Sequence, residues 1–488
     1  MKKRILSMVL LASMLTSLAA CGGDGDDTVD TSGDTEKEET NPAGIEAANY
    51  ELPFNIYAPD WGMYQSYFFA DDPGTDAMTK AIYEREVAVE EHLGVDIGYT
   101  IQGTVIDVRP KVQELVMTGD DTYQLFLTHC IHTTSAMITE DLLYDFNDFE
   151  YVDMTNEWWN QQANEALAVA GHNYFAVSDY MLSDPNCILF NKSILDEFNL
   201  EDPYQLVRDG EWTIDKMMEM MAAVTTDNGD GEWDHRDTYG FATSDNWPLN
   251  SFIFSSEAKL VTRDSDGKFE FAFDDERVYT MVDKLDQLLN NPNTYVYDAA
   301  IETTEDVHIM DSEYLDISKG HSLFNVYPIQ YLRYQRDTDV DFGILPYPKL
   351  DAKQDGYYIN DWSGLMCVPK TVGNAEMVGK VLELLAYYSG DTVRYAYYDI
   401  MLGEKLTRDP ESKEMLDIIF DGVSFDAGVT YFGFSGGMFS LFYFPDKLLI
   451  EGSGAGGFSS FLAQNQSSAE AEINMFNLIV EDLEKAGS

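Results

Sequence analysis

The amino-acid sequence predicts an α/β fold, and three features support this prediction. The chain has 488 residues, 45% of them hydrophobic and 13% aromatic, which is enough apolar material for two or more cores. From about residue 50 onward, short apolar runs with strand character alternate with amphipathic stretches of helical spacing. Glycines and acidic turns separate these segments. Such alternation indicates strand–helix–strand units that build a parallel sheet.

The first predicted unit begins with a strand at residues 52–58. A helix follows over 76–93, with apolar residues on one side and glutamates on the other. Gly94 stands where a helix C-terminal glycine is expected, and 95–101 resumes as a strand. The first strand–helix–strand unit is therefore expected to end near residue 101.

The same order then repeats. A second helix is predicted at 108–118, it ends at Gly119, and the apolar run 123–128 is the next strand. Three strands connected through helices require crossovers, so we expect them to pair in parallel.

Later segments predict further elements of both types. A helix is expected at 214–225 and a strand at 239–242. Another strand is expected at 364–368, and the last helix at about 468–485 has apolar residues on one side that predict docking on the body.

The charge of the chain excludes two classes of partner. With 30 basic and 87 acidic residues, its formal net charge is −57 and its pI is near 4.1. Binding to nucleic acid and to anionic lipid surfaces both depend on Lys and Arg. We therefore expect no nucleic-acid partner and no membrane contact through charge.

The N-terminus predicts export. Residues 1–20 have a basic start and an apolar run shorter than the ~20 residues of a membrane-spanning helix, as is typical of a signal peptide. The ending LAAC resembles the lipobox of bacterial lipoproteins, which implies lipidation of Cys21. A plain secretory cleavage after Ala20 is the alternative. Residues 21–48 are acidic and almost free of apolar residues, so they predict a disordered tether at the extracellular face of the membrane.

The remaining cysteines are expected to be buried core residues. Cys130, Cys187 and Cys367 lie among apolar residues, and their odd number permits one disulfide at most. Their spacing does not suggest zinc.

Ten short motifs in order carry a resemblance to a known family. They are YQLFLT at 123–128 and LGVDI, VQELVMTGD, LLYDF, WWN, HNYFAVSD, LFNK, GEWTIDK, DFGILPYP and WSGLMCVPK at 93–97, 112–120, 142–146, 158–160, 172–179, 189–192, 210–216, 341–348 and 362–370. Their order and spacing, over about 50–395, resemble the extracellular solute-binding proteins of bacterial ABC importers, mainly the carbohydrate-binding group called family 1. The motifs do not specify the ligand.

The resemblance implies a type II periplasmic-binding-protein-like fold, with two α/β lobes, a hinge and a cleft that closes on the ligand. By analogy, lobe 1 comprises 49–176 and 344–389. Lobe 2 comprises 177–343 and 390–488, the latter as extra C-terminal helices.

A sugar cleft needs aromatic planes for the C–H faces of the rings and polar side chains for the hydroxyls. Four places in the chain supply such residues. They are a polar loop after the first strand, the hinge crossing implied by the resemblance, a position where related proteins carry Trp, and the turn before strand 364–368. The candidate ligand-binding residues are Trp61, Tyr64, Asp179, Tyr180, Tyr327, Asp361 and Trp362. Packing roles are expected for Trp158 and Trp159.

An acidic loop between helix 214–225 and strand 239–242 predicts a structural calcium ion. Calcium loops supply oxygen ligands at alternate positions around a glycine, here Gly231. Position 1 is Thr226, where Asp is expected, and Asp227 is the substitute. The candidate ligands are Asp227, Asn228, Asp230, Glu232, Asp234 and Asp237. A plain acidic turn is the alternative, and no cofactor is expected to be required.

The sequence favours binding over catalysis. It lacks an H-E-x-x-H helix and a P-loop, and no catalytic residues are assigned. We expect a monomeric, lipid-anchored protein that captures an oligosaccharide or another polyhydroxylated solute and delivers it to ABC permease subunits. A surface glycan hydrolase or esterase and a lipoprotein that binds a peptide, metal or other non-sugar solute are the alternatives; a helical-repeat glycan receptor would need a 34-residue repeat, which the chain lacks.

Overall fold

The structure is a computed structural model of the chain. It describes residues 42–60, 68–131, 134–234, 236–244, 247–297, 317, 320–330, 332, 340–361, 363–401, 409–433 and 436–487. The predicted signal peptide, Cys21, most of the tether, and the candidates Trp61, Tyr64 and Trp362 lie outside these residues.

The described residues from 42 onward form one compact unit that contains two larger sheets. The strands are β1 (Leu52–Ala58), β2 (Val95–Ile101), β3 (Leu125–His129), β4 (Asn186–Asn191), β5 (Tyr239–Ser244), β6 (Val261–Arg263), β7 (Phe269–Phe271), β8 (Thr294–Tyr297), β9 (Ser322–Pro328), β10 (Phe342–Leu345), β11 (Ile359–Asn360), β12 (Gly364–Cys367) and β13 (Val423–Ser424). The α-helices are α1 (Ala77–Leu93), α2 (Val108–Thr118), α3 (Thr134–Thr139), α4 (Gln161–Leu167), α5 (Lys192–Glu197), α6 (Pro203–Arg208), α7 (Ile214–Val224), α8 (Ser251–Ser255), α9 (Glu276–Leu289), α10 (Ala375–Tyr388), α11 (Pro410–Asp421), α12 (Ala427–Phe432), α13 (Gly436–Phe442) and α14 (Phe458–Gly487).

The first sheet has the strand order β12–β3–β1–β2. Both β2 and β3 pair with β1 in parallel, which confirms the predicted topology of the first three strands. The later strand β12 pairs antiparallel with β3, so that Gly364 lies opposite His129. All four side-chain positions of β12 and all five of β3 are buried, as expected for strands covered on both faces.

Local capping explains why the boundaries of α1 match the prediction. Asp76 lies before the first turn and accepts a hydrogen bond from the backbone N–H of Thr79 at 2.9 Å. At the other end, Gly94 adopts φ 62°, a left-handed conformation that glycine tolerates, and its N–H donates to the Glu90 carbonyl. The chain can then turn directly into β2.

The second sheet is mixed, with the order β10–β4–β9–β5–β8. In this sheet, β4 pairs antiparallel with β10 and with β9, whereas β5 and β8 pair in parallel. The predicted helix at 214–225 and strand at 239–242 are confirmed as α7 and β5.

Two chain segments cross between the sheets side by side. Ala176 forms an antiparallel bridge with Met366, and Pro185 forms one with Asp361. One segment leads into β4 of the second sheet and the other into β12 of the first. This paired crossing is the feature that hinge motion between two lobes would require.

The C-terminal part of the chain contacts elements next to both sheets. Ser389, after α10, accepts a hydrogen bond from Arg85 of α1, which flanks the first sheet. Ser412 of α11 accepts one from the backbone N–H of Ile344 in β10 of the second sheet. The chain from Ser389 onward therefore contacts elements associated with each of the two sheets.

The three cysteines in the described body are free and buried, which confirms their prediction as core residues. Burial raises the pKa of each thiol, so all three are protonated at neutral pH. Within the part of the chain that the structure describes, no helix combines the length and the apolar character needed to cross a membrane.

Candidate functional site

A cavity of about 870 Å³ lies between elements that pack on different sheets. The segment 389–401, next to α1, forms one wall, and α11, next to β10, forms the other. The volume is in the range of ligand pockets, about 300–1,000 Å³. Its lining residues are Glu157, Trp158, Asp179, Tyr387, Gly390, Arg394, Tyr395, Tyr398, Lys413, Leu416, Asp417, Phe420 and Asp421.

Two consecutive π-helices shape the first wall. They cover Ser389–Arg394 and Ala396–Met401, directly after α10. A π-helix is wider than an α-helix. It is rare in proteins and occurs often at functional sites. A Cβ atom at Gly390 would lie only 2.8 Å from the Oδ2 atom of Asp179, so a larger residue would make this carboxylate shift. The widened helix and its glycine thus let the Asp179 carboxylate lie against the wall.

An ion pair lies in the wall of the cavity. Nη1 of Arg394 is 3.2 Å from Oδ1 and 3.3 Å from Oδ2 of Asp179. The Asp179 side chain is 20% exposed and that of Arg394 is 53% exposed. Such a partly solvated pair contributes little to folding stability. Because both side chains are partly exposed, their charged atoms are accessible to a solute, which would find an acceptor and a donor next to each other.

Aromatic side chains surround the ion pair. The ring of Trp158 meets that of Tyr387 edge-on at a centroid distance of 5.1 Å, and Tyr398 meets Phe420 edge-on at 4.3 Å. The Arg394 guanidinium lies 5.9 Å from the Tyr398 ring centroid. Burial raises the pKa of Tyr398, so its hydroxyl is neutral and able to donate a hydrogen bond. The cavity therefore combines apolar ring faces with charged and hydroxyl groups.

A buried carboxylate holds Trp158 in place. Oε1 of Glu383, on α10, accepts from Nε1 of Trp158 at 2.9 Å, and Oε2 accepts from Nε1 of Trp159 at 2.8 Å. The side-chain amide of Asn156 and the backbone N–H of Asp153 complete four donors. Burial raises the pKa of Glu383, while these hydrogen bonds stabilise the ionised form and oppose the rise.

A second cavity of about 330 Å³ continues from the first. It shares five lining residues with the first cavity, namely Asp179, Arg394, Tyr398, Phe420 and Asp421. Its other lining residues are mainly polar or small, namely Asn160, Gln162, Met181, Leu182, Ser183 and Val423. The Asp179–Arg394 pair therefore stands where the two cavities meet.

Solved structures with the same architecture are two-lobe solute-binding proteins. UgpB from Mycobacterium tuberculosis in complex with glycerophosphocholine matches with a TM-score of 0.56 and 13% identity, covering 87% of this chain and 98% of that one. The ABC substrate-binding protein Lmo0181 from Listeria monocytogenes in complex with cycloalternan has a TM-score of 0.54, 12% identity and coverages of 87% and 98%.

A third match is the maltose/maltodextrin-binding domain MalE from Bdellovibrio bacteriovorus bound to maltotriose, with a TM-score of 0.54, 14% identity and coverages of 86% and 100%. The chain has the fold of ABC-transporter solute-binding proteins. No family model and no curated protein matches its sequence. The bridges Ala176–Met366 and Pro185–Asp361 join the two chain segments that lead into β4 and β12.

The predicted ligand-binding residues occupy three kinds of position. Asp179 lines both cavities. Tyr180, the next residue, is 1% exposed and packs under the Arg85 guanidinium, 4.6 Å from its ring centroid. Tyr327 is fully buried in β9, where its carbonyl accepts from the Cys187 thiol. The structure thus brings Asp179 to the cavity and places both tyrosines in the packed core.

Asp361 lies in one of the two crossing segments, bridged to Pro185 of the other. It is 4% exposed, and its Oδ1 atom accepts from the backbone N–H groups of Asp184 and Ser363 at 2.9 and 2.8 Å. Asp184 in turn accepts from the backbone and side chain of Gln330. Burial raises the pKa of Asp361. In this arrangement its carboxylate joins the two crossing segments to each other.

Several cavity residues were not predicted from the sequence. Trp158 was expected to pack, yet it lines the first cavity, whereas Trp159 is buried as expected. Arg394, Tyr398 and Phe420 come from C-terminal segments for which only helices were predicted. The one local signal is the aromatic run at 395–398, which contains three tyrosines within four residues.

The predicted calcium loop uses its oxygens internally. Asp237 accepts from the backbone N–H groups of Asn228 and Asp234, and Asp227 accepts from those of Gly229 and Gly231. The described residues contain no group of three or more His, Cys, Asp or Glu side chains that could hold a metal ion.

Arg236 adds a positive charge to the same loop. Its guanidinium contacts Oδ2 of Asp230 at 3.1 Å and both carboxylate oxygens of Asp234. Glu232, the remaining candidate, donates its backbone N–H to Asp230. A calcium ion would have to displace the guanidinium, so calcium binding stays a prediction.

Proposed function

We propose that the protein captures a carbohydrate at the outer face of a bacterial membrane and delivers it to an ABC permease. The observation that carries the proposal is the cavity around Asp179 and Arg394 in a solute-binding fold. Ring faces there suit the C–H faces of sugars, and the ion pair offers an acceptor and a donor for hydroxyls. Compared proteins of this fold bind cycloalternan and maltotriose.

The proposed mechanism is binding without chemistry. The solute would stack on the rings of the cavity, hydrogen-bond to Asp179, Arg394 and Tyr398, and hold the two lobes together around it. Each buried hydrogen-bonding group left without its partner would cost about 1–3 kcal/mol, which would discriminate among sugars. Under this proposal the protein is a monomeric receptor and not an enzyme.

The proposed location rests on the sequence. A lipid on Cys21 and the acidic segment 21–48 would hold the body outside the membrane, where permease subunits are within reach. Each buried CH₂ of an acyl chain contributes about 0.8 kcal/mol, so several chains suffice for stable anchoring.

The test is thermal unfolding of the purified protein with a panel of mono- and oligosaccharides, followed by analysis of each sugar for products. A ligand at 100 times its Kd adds about 2.7 kcal/mol, a shift of several degrees. A sugar-specific shift with the sugar recovered intact supports the proposal. No shift with any sugar, or a cleaved sugar, overturns it. Glycerophosphocholine belongs in the panel because a compared structure holds it.

A further inference from the structure

A buried arginine on α1 lies next to the first wall of the cavity. Arg85 is 1% exposed. Its ion pair with Glu86 is long, with 3.6 Å between Nη2 and Oε1, and among the described residues its Nε atom finds no hydrogen-bond partner. Removing a guanidinium from water with such incomplete pairing costs folding free energy. Stability alone therefore does not explain why an arginine occupies this position.

The guanidinium joins three segments of the chain to α1. Its Nη2 atom donates to the carbonyl of Phe68 at 2.7 Å, and its Nη1 atom donates to Oγ of Ser389 at 3.4 Å. It also lies 4.6 Å from the ring centroid of Tyr180, and the Phe68 ring meets that ring edge-on at 5.6 Å. The rigid, planar fork of an arginine can make such contacts in several directions at once.

Two of these partners are sequence neighbours of cavity residues. Tyr180 directly follows Asp179, and Ser389 directly precedes Gly390 at the start of the first π-helix. Gly390 approaches the Asp179 carboxylate so closely that a Cβ atom on it would lie 2.8 Å from Oδ2. The backbone on both sides of this approach therefore carries a residue that the Arg85 guanidinium contacts.

The ion pair of the cavity depends on the same two segments. Asp179 follows the crossing segment, and Arg394, its partner at 3.2 Å, ends the π-helix that Ser389 begins. Binding groups work only when they are held within about 0.5 Å of the productive geometry by the residues around them. A contact that sets the distance between the two segments therefore also sets the distance between acceptor and donor.

We infer that Arg85 is a positioning residue of the Asp179–Arg394 cavity, which it shapes through Tyr180 and Ser389 without touching the solute. This inference rests on the proposed function. Arg85 does not line the cavity, so its loss should weaken sugar binding only through the placement of the ion pair.

A purely structural role for Arg85 makes a different prediction. Its loss would then lower the Tm, as the loss of any buried side chain of α1 does, and leave the sugar affinity intact. Val89 is such a side chain, 0% exposed and one helical turn after Arg85. Val89→Ala leaves a cavity in the core and is the control for lowered stability.

The first experiment is calorimetric titration with the sugar that gives the unmodified protein its largest thermal shift. Arg85→Met keeps a long apolar stem but removes the donors, so we expect affinity about tenfold weaker. In an Asp179→Asn background the same change should cost less than about twofold, because its effect passes through that carboxylate. Val89→Ala should lower the Tm and leave the affinity unchanged. Arg85→Lys keeps the charge without the fork and should recover part of the affinity.

The outcomes separate this inference from the proposed function. Full affinity in Arg85→Met, or the same loss with and without Asp179→Asn, overturns the inference while the proposed function stands. No binding of any sugar by the unmodified protein overturns the proposed function, and the inference with it.

The second experiment needs no sugar. Hydrogen exchange of the unliganded Arg85→Met protein should be faster at 178–181 and 389–394 than in Val89→Ala, because only the first variant frees these segments from α1. Equal exchange of both segments in the two variants would overturn the inference.

Discussion

The indole N–H of Trp158 donates to Oε1 of Glu383 at 2.9 Å, across 225 residues of sequence. Tyr387 follows Glu383 by one helical turn and meets the Trp158 ring edge-on. One helix face therefore fixes the tryptophan of the cavity wall in two ways, through a charged hydrogen bond and through ring contact. The neighbouring Trp159 shares the same carboxylate, so a core position and a cavity position are joined by one side chain.

The Glu383→Gln variant tests whether this link positions the cavity wall. A glutamine has one acceptor oxygen for four donors, so buried N–H groups lose their partners, and we expect a Tm lower by several degrees and sugar affinity about tenfold weaker. Tryptophan fluorescence should also change because the indole environment changes. Glu376→Gln on the same helix is the control. Unchanged affinity with a lowered Tm would show that Glu383 supports the fold alone.

The Asp179–Arg394 ion pair predicts that removing either charge weakens sugar binding. Asp179→Asn keeps the shape but removes the charged acceptor, so we expect affinity about tenfold weaker with little change in Tm. Arg394→Gln should weaken binding too, and the double variant should lose less than the sum because the residues are in contact. Calorimetry measures all three. Glu414→Gln, from the exposed pair with Arg208, should bind like the unmodified protein; full affinity in Asp179→Asn would contradict the assigned site.

Asp426, half-buried at the start of α12, predicts a pH dependence of stability. Burial raises its pKa to about 6, against 3.8 for an exposed carboxyl. Between these values the folded state holds a proton that the unfolded state has released. Unfolding therefore releases it, and this group's contribution to the free energy of unfolding falls as pH rises, by up to about 1.4 kcal/mol per pH unit.

The Asp426→Asn variant isolates this contribution. Denaturant unfolding at pH 4, 5, 6 and 7 measures the free energy of unfolding of both proteins. In the unmodified protein Asp426 should make a contribution that falls between pH 4 and 6, and the variant should lack this contribution. Carboxylates whose pKa is lowered, such as that of Asp409, act in the opposite direction in both proteins. Identical pH profiles for the two proteins would show that Asp426 does not hold a proton in the folded state.

The acidic loop predicts a response to calcium that depends on Arg236. Because the guanidinium contacts Asp230 and Asp234, calcium must compete with it, and we expect only a small rise in Tm on adding the ion. Arg236→Gln removes the competitor and should give a larger rise, reversed by a chelator. An equal rise in both proteins would show that Arg236 does not compete with the ion, and no rise in either would contradict a calcium site in this loop.

Local patterns predicted much of the fold. The boundaries of β1, α1, β2 and α2 follow from apolar periodicity and from residues such as Asp76, Gly94 and Gly119, whose effects are confined to one turn. Parallel pairing of the first strands followed from the order of elements. Antiparallel addition of β12 did not, because its partner β3 lies more than 200 residues earlier.

The cavity was harder to predict because its residues meet only in three dimensions. Asp179 was found through its place at the crossing between lobes, but Arg394, its partner, lies in a π-helix that no local pattern announces. Whether Trp158 faces the core or the cavity is decided by Glu383, on a helix distant in sequence. Tyr180 and Tyr327 are aromatic residues of the type expected in a sugar site, yet packing places them in the core.

The most direct test of the central claim is hydrogen exchange of the protein with and without the sugar that gives the largest thermal shift. Ligand contact and closure slow local opening, so exchange should slow in 389–401, in α11 and around Trp158 and Asp179, with the sugar recovered unchanged. Protection confined to other parts of the chain, or a chemically altered sugar, would contradict capture of a carbohydrate in this cavity.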